Sequence, residues 1–167
     1  MSVVAMLQGT VETDRATVET ALSLARRMNV PVRALCALPD PNSAMMVIAT
    51  PEAAGLTGVA TQSIFDMQEE VLANAREAFQ AAKQGVDDVT CEFKHEVNTV
   101  ERAAANAAAL ADAVIFPRAA TDASQPLNIG FDHVLMDAHL PVVLAGTSTD
   151  MSGPAIIAWD GSNGAAR

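Results

Sequence analysis

"AIIAWDGSNGAAR", residues 155–167, closes the chain but reads as a beginning. An apolar run from Ala155 to Trp159 meets Asp160-Gly161-Ser162, and small residues of helix-like composition follow. Strand, tight turn and helix start together open an α/β unit. Residues 3–10, "VVAMLQGT", have the same form. With Gly9 set on Gly161, Val4 falls on Ile156, Leu7 on Trp159, Gln8 on Asp160 and Thr10 on Ser162. The two glycines stand 152 residues apart (161 − 9), about one domain length. Self-similarity at a fixed period marks a repeat. The expected organisation is an α/β domain over 1–146, a polar, flexible linker over 147–153, and the first strand and turn of a second repeat over 154–167.

Between these ends, strand-like and helix-like stretches alternate. Residues 2–8 read as a strand. Over 12–29, Val18, Ala21, Leu22, Ala25 and Met28 share one helical face, and Asn29 and Pro31 end the helix. "VRALCAL" (32–38) is a second strand. Residues 39–58, rich in proline, glycine and small residues, read as a long loop holding a local apolar plug, "MMVI" (45–48). A helix over 60–84 would bury Ile64, Met67, Val71, Ala75, Ala78 and Ala82, with Gly85 as its cap. "VTCEFKHEV" (89–97) alternates like a strand. Asn98 and Glu101 resemble a capping box opening an alanine-rich helix over 99–111. "AVIFP" (113–117) does not alternate and reads as a strand buried on both faces. A polar loop to 128, a short helix over 130–138 and the strand "PVVLAG" (141–146) complete the domain. This order predicts an open, mostly parallel five-stranded sheet of Rossmann-like type with helices on both faces. Ligands in such sheets sit beyond the carboxyl ends of the strands, which points to residues 7–11, 37–41 and 117–133.

Composition narrows the classes. Half of the 167 residues are hydrophobic, but no apolar run is long enough to cross a membrane. No signal-peptide pattern opens the chain. Cys36 and Cys91 lie in apolar strands and read as buried reduced thiols rather than a disulfide framework. These features place the chain in the cytoplasm. Ten basic against 20 acidic residues give a net charge of −10, which argues against nucleic acid and anionic membranes as partners.

Three stretches resemble the universal stress protein family. "AWDGSNGAAR" looks like that family's first strand and turn, usually ending V-D-G-S. "LADAVIFP" looks like its passage into the fourth strand, usually A-D-L-I-V-M-G. "GFDHVLMDAHLPVVLAG" looks like its last helix and fifth strand. The element order agrees over the whole chain, and many members carry two such domains in tandem. The resemblance implies the adenine nucleotide alpha hydrolase-like fold and a role in stress response.

ATP-binding members carry G-x-x-G, nine residues, then G-S or G-T after the fourth strand. Glycines there let backbone amides approach phosphate, and the last pair opens a helix whose N-terminus favours anions. This chain keeps the spacing and loses the residues. Pro117 replaces the first glycine, Ala120 the second, and Phe131 the hydroxyl residue after Gly130. Pro117 has no N–H to donate, and Asp132 adds a negative charge that doubles as a helix-start residue. Gln8 stands where the resemblance implies an aspartate near the adenosine. With four of five signature positions altered, the expectation is a degenerate nucleotide site that binds no ATP. Asp160 keeps the family residue, so a second repeat could hold the competent site. The resemblance also implies a homodimer through the fifth strand, here Pro141, Val142, Val143, Leu144 and Ala145.

Other constellations are weaker. His133 and Asp137, one helical turn apart with His139 nearby, could hold a metal, but a solvated helix end is the preferred reading. Glu92 and Glu96 share one strand face and His95 takes the other, which disfavours a three-ligand site. Met45 and Met46 read as packing rather than a contact surface. No catalytic nucleophile motif and no metal motif is present, so neither catalytic residues nor a metal is assigned. Three classes remain. A regulatory or scaffolding stress protein without cofactor leads. An ATP-binding stress protein, with slow hydrolysis as its only enzymatic activity, is the alternative. An enzyme of a related adenine-nucleotide fold comes last, because "LQGTVETD" is not an intact phosphate loop.

Overall fold

The computed structural model describes residues 1–39, 57–154 and 156. The plug at 45–48, Met45 and Met46, and most of 155–167, including Trp159, Asp160 and Ser162, lie outside the described residues.

Five parallel strands form one sheet in the order β3-β2-β1-β4-β5. They are β1 (Val3–Leu7), β2 (Val32–Leu38), β3 (Cys91–Val97), β4 (Ala113–Pro117) and β5 (Val142–Ala145). Between them run α1 (Val11–Met28), α2 (Thr57–Lys83), α3 (Val100–Ala108) and α4 (Asn128–Met136). β1 is central. Val3 pairs with Val32 on one side and Ala113 on the other, so β1 and β4 flank the switch point in strand order.

The two-residue period of the strands divides the core. Val3, Ala5 and Leu7 face Val18, Leu22 and Phe79 of α1 and α2. Val4 and Met6 face Ala103, Ala107 and Val134 of α3 and α4. Strands buried on both faces cannot alternate, which is why "VVAML" and "AVIFP" are continuous apolar runs, each buried throughout. β3 lies at an edge and does alternate. α3 is rich in alanine because it packs closely. Gly130 of α4 approaches it so tightly that a Cβ would lie 3.0 Å from Val100 Cγ1 and 3.2 Å from the Ala104 Cβ.

Several boundaries differ from expectation. α3 is capped by Thr99, whose Oγ1 accepts the Arg102 N–H at 3.3 Å, while Asn98 Oδ1 instead accepts the Thr99 N–H. α3 ends at Ala108 rather than 111. α4 starts at Asn128, so Gly130 lies inside the helix instead of opening it. Met28, the last residue of α1, and Met67 are 40% and 60% exposed instead of buried. Met67 is explained by length. The 27 residues of α2 span about 40 Å, while the seven residues of β2 span about 23 Å. The first half of α2 therefore overhangs the carboxyl ends of the strands.

Residues 147–153 read as flexible in composition but are tied to α1. Thr149 Oγ1 donates to Glu19 at 3.4 Å, the Met151 N–H donates to Ser23 Oγ at 2.8 Å, and Arg27 donates to the carbonyls of Met151 and Gly153.

Candidate functional site

The loop between β1 and α1 faces the switch point. Gly9 has φ +86 and approaches α2 so closely that an added Cβ would lie 2.7 Å from Val71 Cγ1. Such a turn directs successive amides to one side, a ready anion nest. Here the nest is filled from within the chain. Asp14, the fourth residue of α1, is fully buried, and its carboxylate accepts the N–H of Gln8 at 3.0 Å and of Gly9 at 2.8 Å. The Thr10 amide contributes as well. Burial pushes the Asp14 pKa up to about 6, and the three amides oppose that rise without cancelling it. On the other side of the turn, Asn74 donates to the Gly9 carbonyl at 3.2 Å.

The second half of the site follows β4. Pro117 is buried as the last residue of that strand. Arg118–Thr121 makes a 3-10 turn within the expected loop, and Ala120 is buried with its carbonyl accepting from Asn128 at 3.0 Å. Asp122 then accepts both the N–H and the hydroxyl of Ser124, at 2.9 and 2.8 Å, and these bonds hold it below the usual carboxylate range. Phe131 is half-buried and meets Phe116 edge-to-face, with ring centroids 5.7 Å apart. Gly130 serves helix packing, and Asp132 is exposed.

Between these two halves lies a crevice of about 410 Å³. Leu7, Ala37 and Leu38 form its floor at the ends of β1 and β2. The overhanging part of α2 supplies Ile64, Met67 and Val71 as one wall, and Val100 and Leu127 lie opposite. Among the described residues its polar side chains are Gln8 and Gln68. Gln68 donates to the Pro39 carbonyl at 2.6 Å, whereas Gln8 Oε1 is buried without a hydrogen-bond partner.

The crevice lies within the region where the sequence places a ligand, and Gln8 lines it. Sequence reasoning passed over Asp14 and the apolar wall of α2. A carboxylate five residues after the turn glycine was the available signal for the first. Cys36 is buried on β2, where burial and the nearby Asp14 carboxylate push its pKa up to about 12, so it offers no thiolate. His133 Nδ1 lies 3.0 Å from Asp137 Oδ2, and among the described residues no three His, Cys, Asp or Glu are grouped to hold a metal.

An open parallel sheet with a crevice at the carboxyl ends of its strands belongs to the Rossmann-like class. No family model matches the chain, and no curated protein matches it. Solved structures do match. A universal stress protein crystallised in complex with cAMP superposes with a TM-score of 0.52 at 20% identity, covering 89% of this chain and 98% of that one. The universal stress protein UspA from Lactobacillus plantarum gives 0.51 at 14% identity, covering 87% and 97%. The fold of this chain is the universal stress protein fold.

Proposed function

We propose that this chain is a universal stress protein-like regulatory or scaffolding domain acting in stress response, with a degenerate nucleotide site that does not bind ATP. One observation carries the reading. The turn amides of Gln8 and Gly9, beside the position the resemblance gives to the adenosine, are already held by the Asp14 carboxylate. Pro117 adds no donor, Phe131 is committed to Phe116, and Asp122 and Asp132 add negative charge near the same strand end. Calorimetry with ATP and Mg²⁺ should detect nothing tighter than about millimolar, near −4 kcal/mol. A micromolar dissociation constant, or ATP retained through purification, overturns it.

No catalytic step belongs to this reading. The protein acts in the cytoplasm, and no described helix is long and apolar enough to cross a membrane. Its partner is a second copy, paired through Pro141–Ala145. β5 is an edge strand with Val142 and Val143 half-buried and Leu144 40% exposed, which suits a reciprocal two-fold contact. Residues 154–167 begin a second repeat, whose Asp160 keeps the family residue.

A second reading, adenine-nucleotide binding by altered contacts, is favoured by the crevice volume and by the cAMP held by one structural neighbour. The same calorimetry with cAMP separates the two.

A further inference from the structure

The crevice is built for something other than an anion. We infer that it takes a small, uncharged, predominantly apolar molecule that carries one N–H or O–H donor. This rests on the reading that ATP is not the ligand. The inference draws on size, surface and polarity together.

At about 410 Å³ the crevice falls within the range of small-molecule sites. Among the described residues its walls contain no charged side chain, and a charged ligand would find no partner in them for its lost hydration. An anion would also face Asp14 directly behind Gln8. The apolar wall lies partly outside the core. Val71 packs against the core above Gly9, but Ile64 and Met67, farther along the overhanging part of α2, line the crevice. Side chains of this kind outside the core mark a contact surface.

The polar side chains are two glutamine amides among the described residues. Gln68 gives an amide N–H to the Pro39 carbonyl. Gln8 lines the crevice, and its Oε1 is buried without a donor. A lone buried acceptor is costly until a donor meets it, and its terminal amide turns about a soft torsion. An apolar ligand with one donor satisfies both parts of the site.

The test uses N-phenyl-1-naphthylamine, a neutral dye with one N–H that fluoresces in apolar surroundings, beside its N-methyl counterpart. Saturable one-to-one binding of the first is expected at about 1–10 μM. The N-methyl dye should bind about three- to tenfold more weakly, and Gln8→Leu should erase that difference. Ile64→Glu and Met67→Glu should each weaken binding at least about tenfold. Met67 is already exposed, so its variant keeps the melting temperature even if Ile64→Glu does not. Absence of saturable binding overturns the inference, as does binding that both α2 variants leave unchanged. A donor preference that survives in Gln8→Leu removes Gln8 from it. ATP is titrated separately, so micromolar ATP sinks the non-nucleotide reading whatever the dyes do.

Discussion

The backbone N–H of Gly9 and the carboxylate of Asp14 meet at 2.8 Å, so the turn at the switch point carries its own anion. The relationship ties two features to each other. Gly9 is left-handed because the chain must turn close under Val71, and the turned amides need an acceptor once buried. Asp14 supplies it one helical turn into α1.

The pH dependence of stability should carry the mark of Asp14. Its pKa is about 6 in the fold against an ordinary 3.8, so folding takes up a proton between those values. The stabilising effect of the protonated form is complete below about pH 4 and is lost as pH rises through 6. That loss amounts to about 3 kcal/mol. Urea unfolding between pH 4 and 7 measures it, and the slope should flatten in Asp14→Asn. Equal slopes in parent and variant would contradict the assignment.

Two glycines with positive φ separate strain from crowding. Gly85→Ala meets nothing within 4 Å and should lose about 1 kcal/mol from its backbone conformation alone. Gly9→Ala adds a collision with Val71 and should lose a further 1–3 kcal/mol, roughly. Thermal melts of the pair decide, and similar losses would mean that α2 yields easily.

Phe131 should act through packing rather than binding. Phe131→Ser restores the hydroxyl of the nucleotide signature but removes the ring from Phe116. We expect a loss of about 2 kcal/mol and no gain of ATP binding, because Pro117 and Asp14 remain. Calorimetric detection of ATP in this variant would show that the ring alone blocks the site.

Ile115 is fully buried in β4. Ile115→Asp should lose several kcal/mol by placing an unpaired charge in the core. A melting temperature within a degree or two of the parent would be inconsistent with a central strand.

Leu144→Lys tests the paired edge. Charges on an edge strand oppose pairing between copies, so light scattering at micromolar concentration should find a dimeric parent and a monomeric variant. A monomeric parent disposes of the proposal.

Sequence pattern revealed the sheet well because its strands are buried on both faces, and "VVAML" and "AVIFP" admit few other readings. The residue Val32 begins β2 and Leu38 ends it, as periodicity predicts. Helix ends were less legible. Asn98 and Thr99 are both good caps, and only the Thr99 hydroxyl reaches an orphan amide of α3. Met67 shows a deeper limit, because helical periodicity marks an apolar face without telling whether a sheet lies under it. The crevice lies in the region that strand order alone points to, with Gln8 on its lining. Asp14 was not legible, since a carboxylate in a first helical turn ordinarily needs no partner beyond the dipole.

The contacts of residues 149–153 with Glu19, Ser23 and Arg27 fix the direction in which the chain departs. It leaves β5 at the carboxyl pole of the sheet, descends about two turns of α1, and emerges beside Arg27 at the amino pole. Ile156, 95% exposed, already stands clear of the fold there. A fluorophore or fused domain attached beyond residue 156 would therefore ride on the side opposite the crevice. Ligand entry and covalent cargo would then make no competing demands on the same surface.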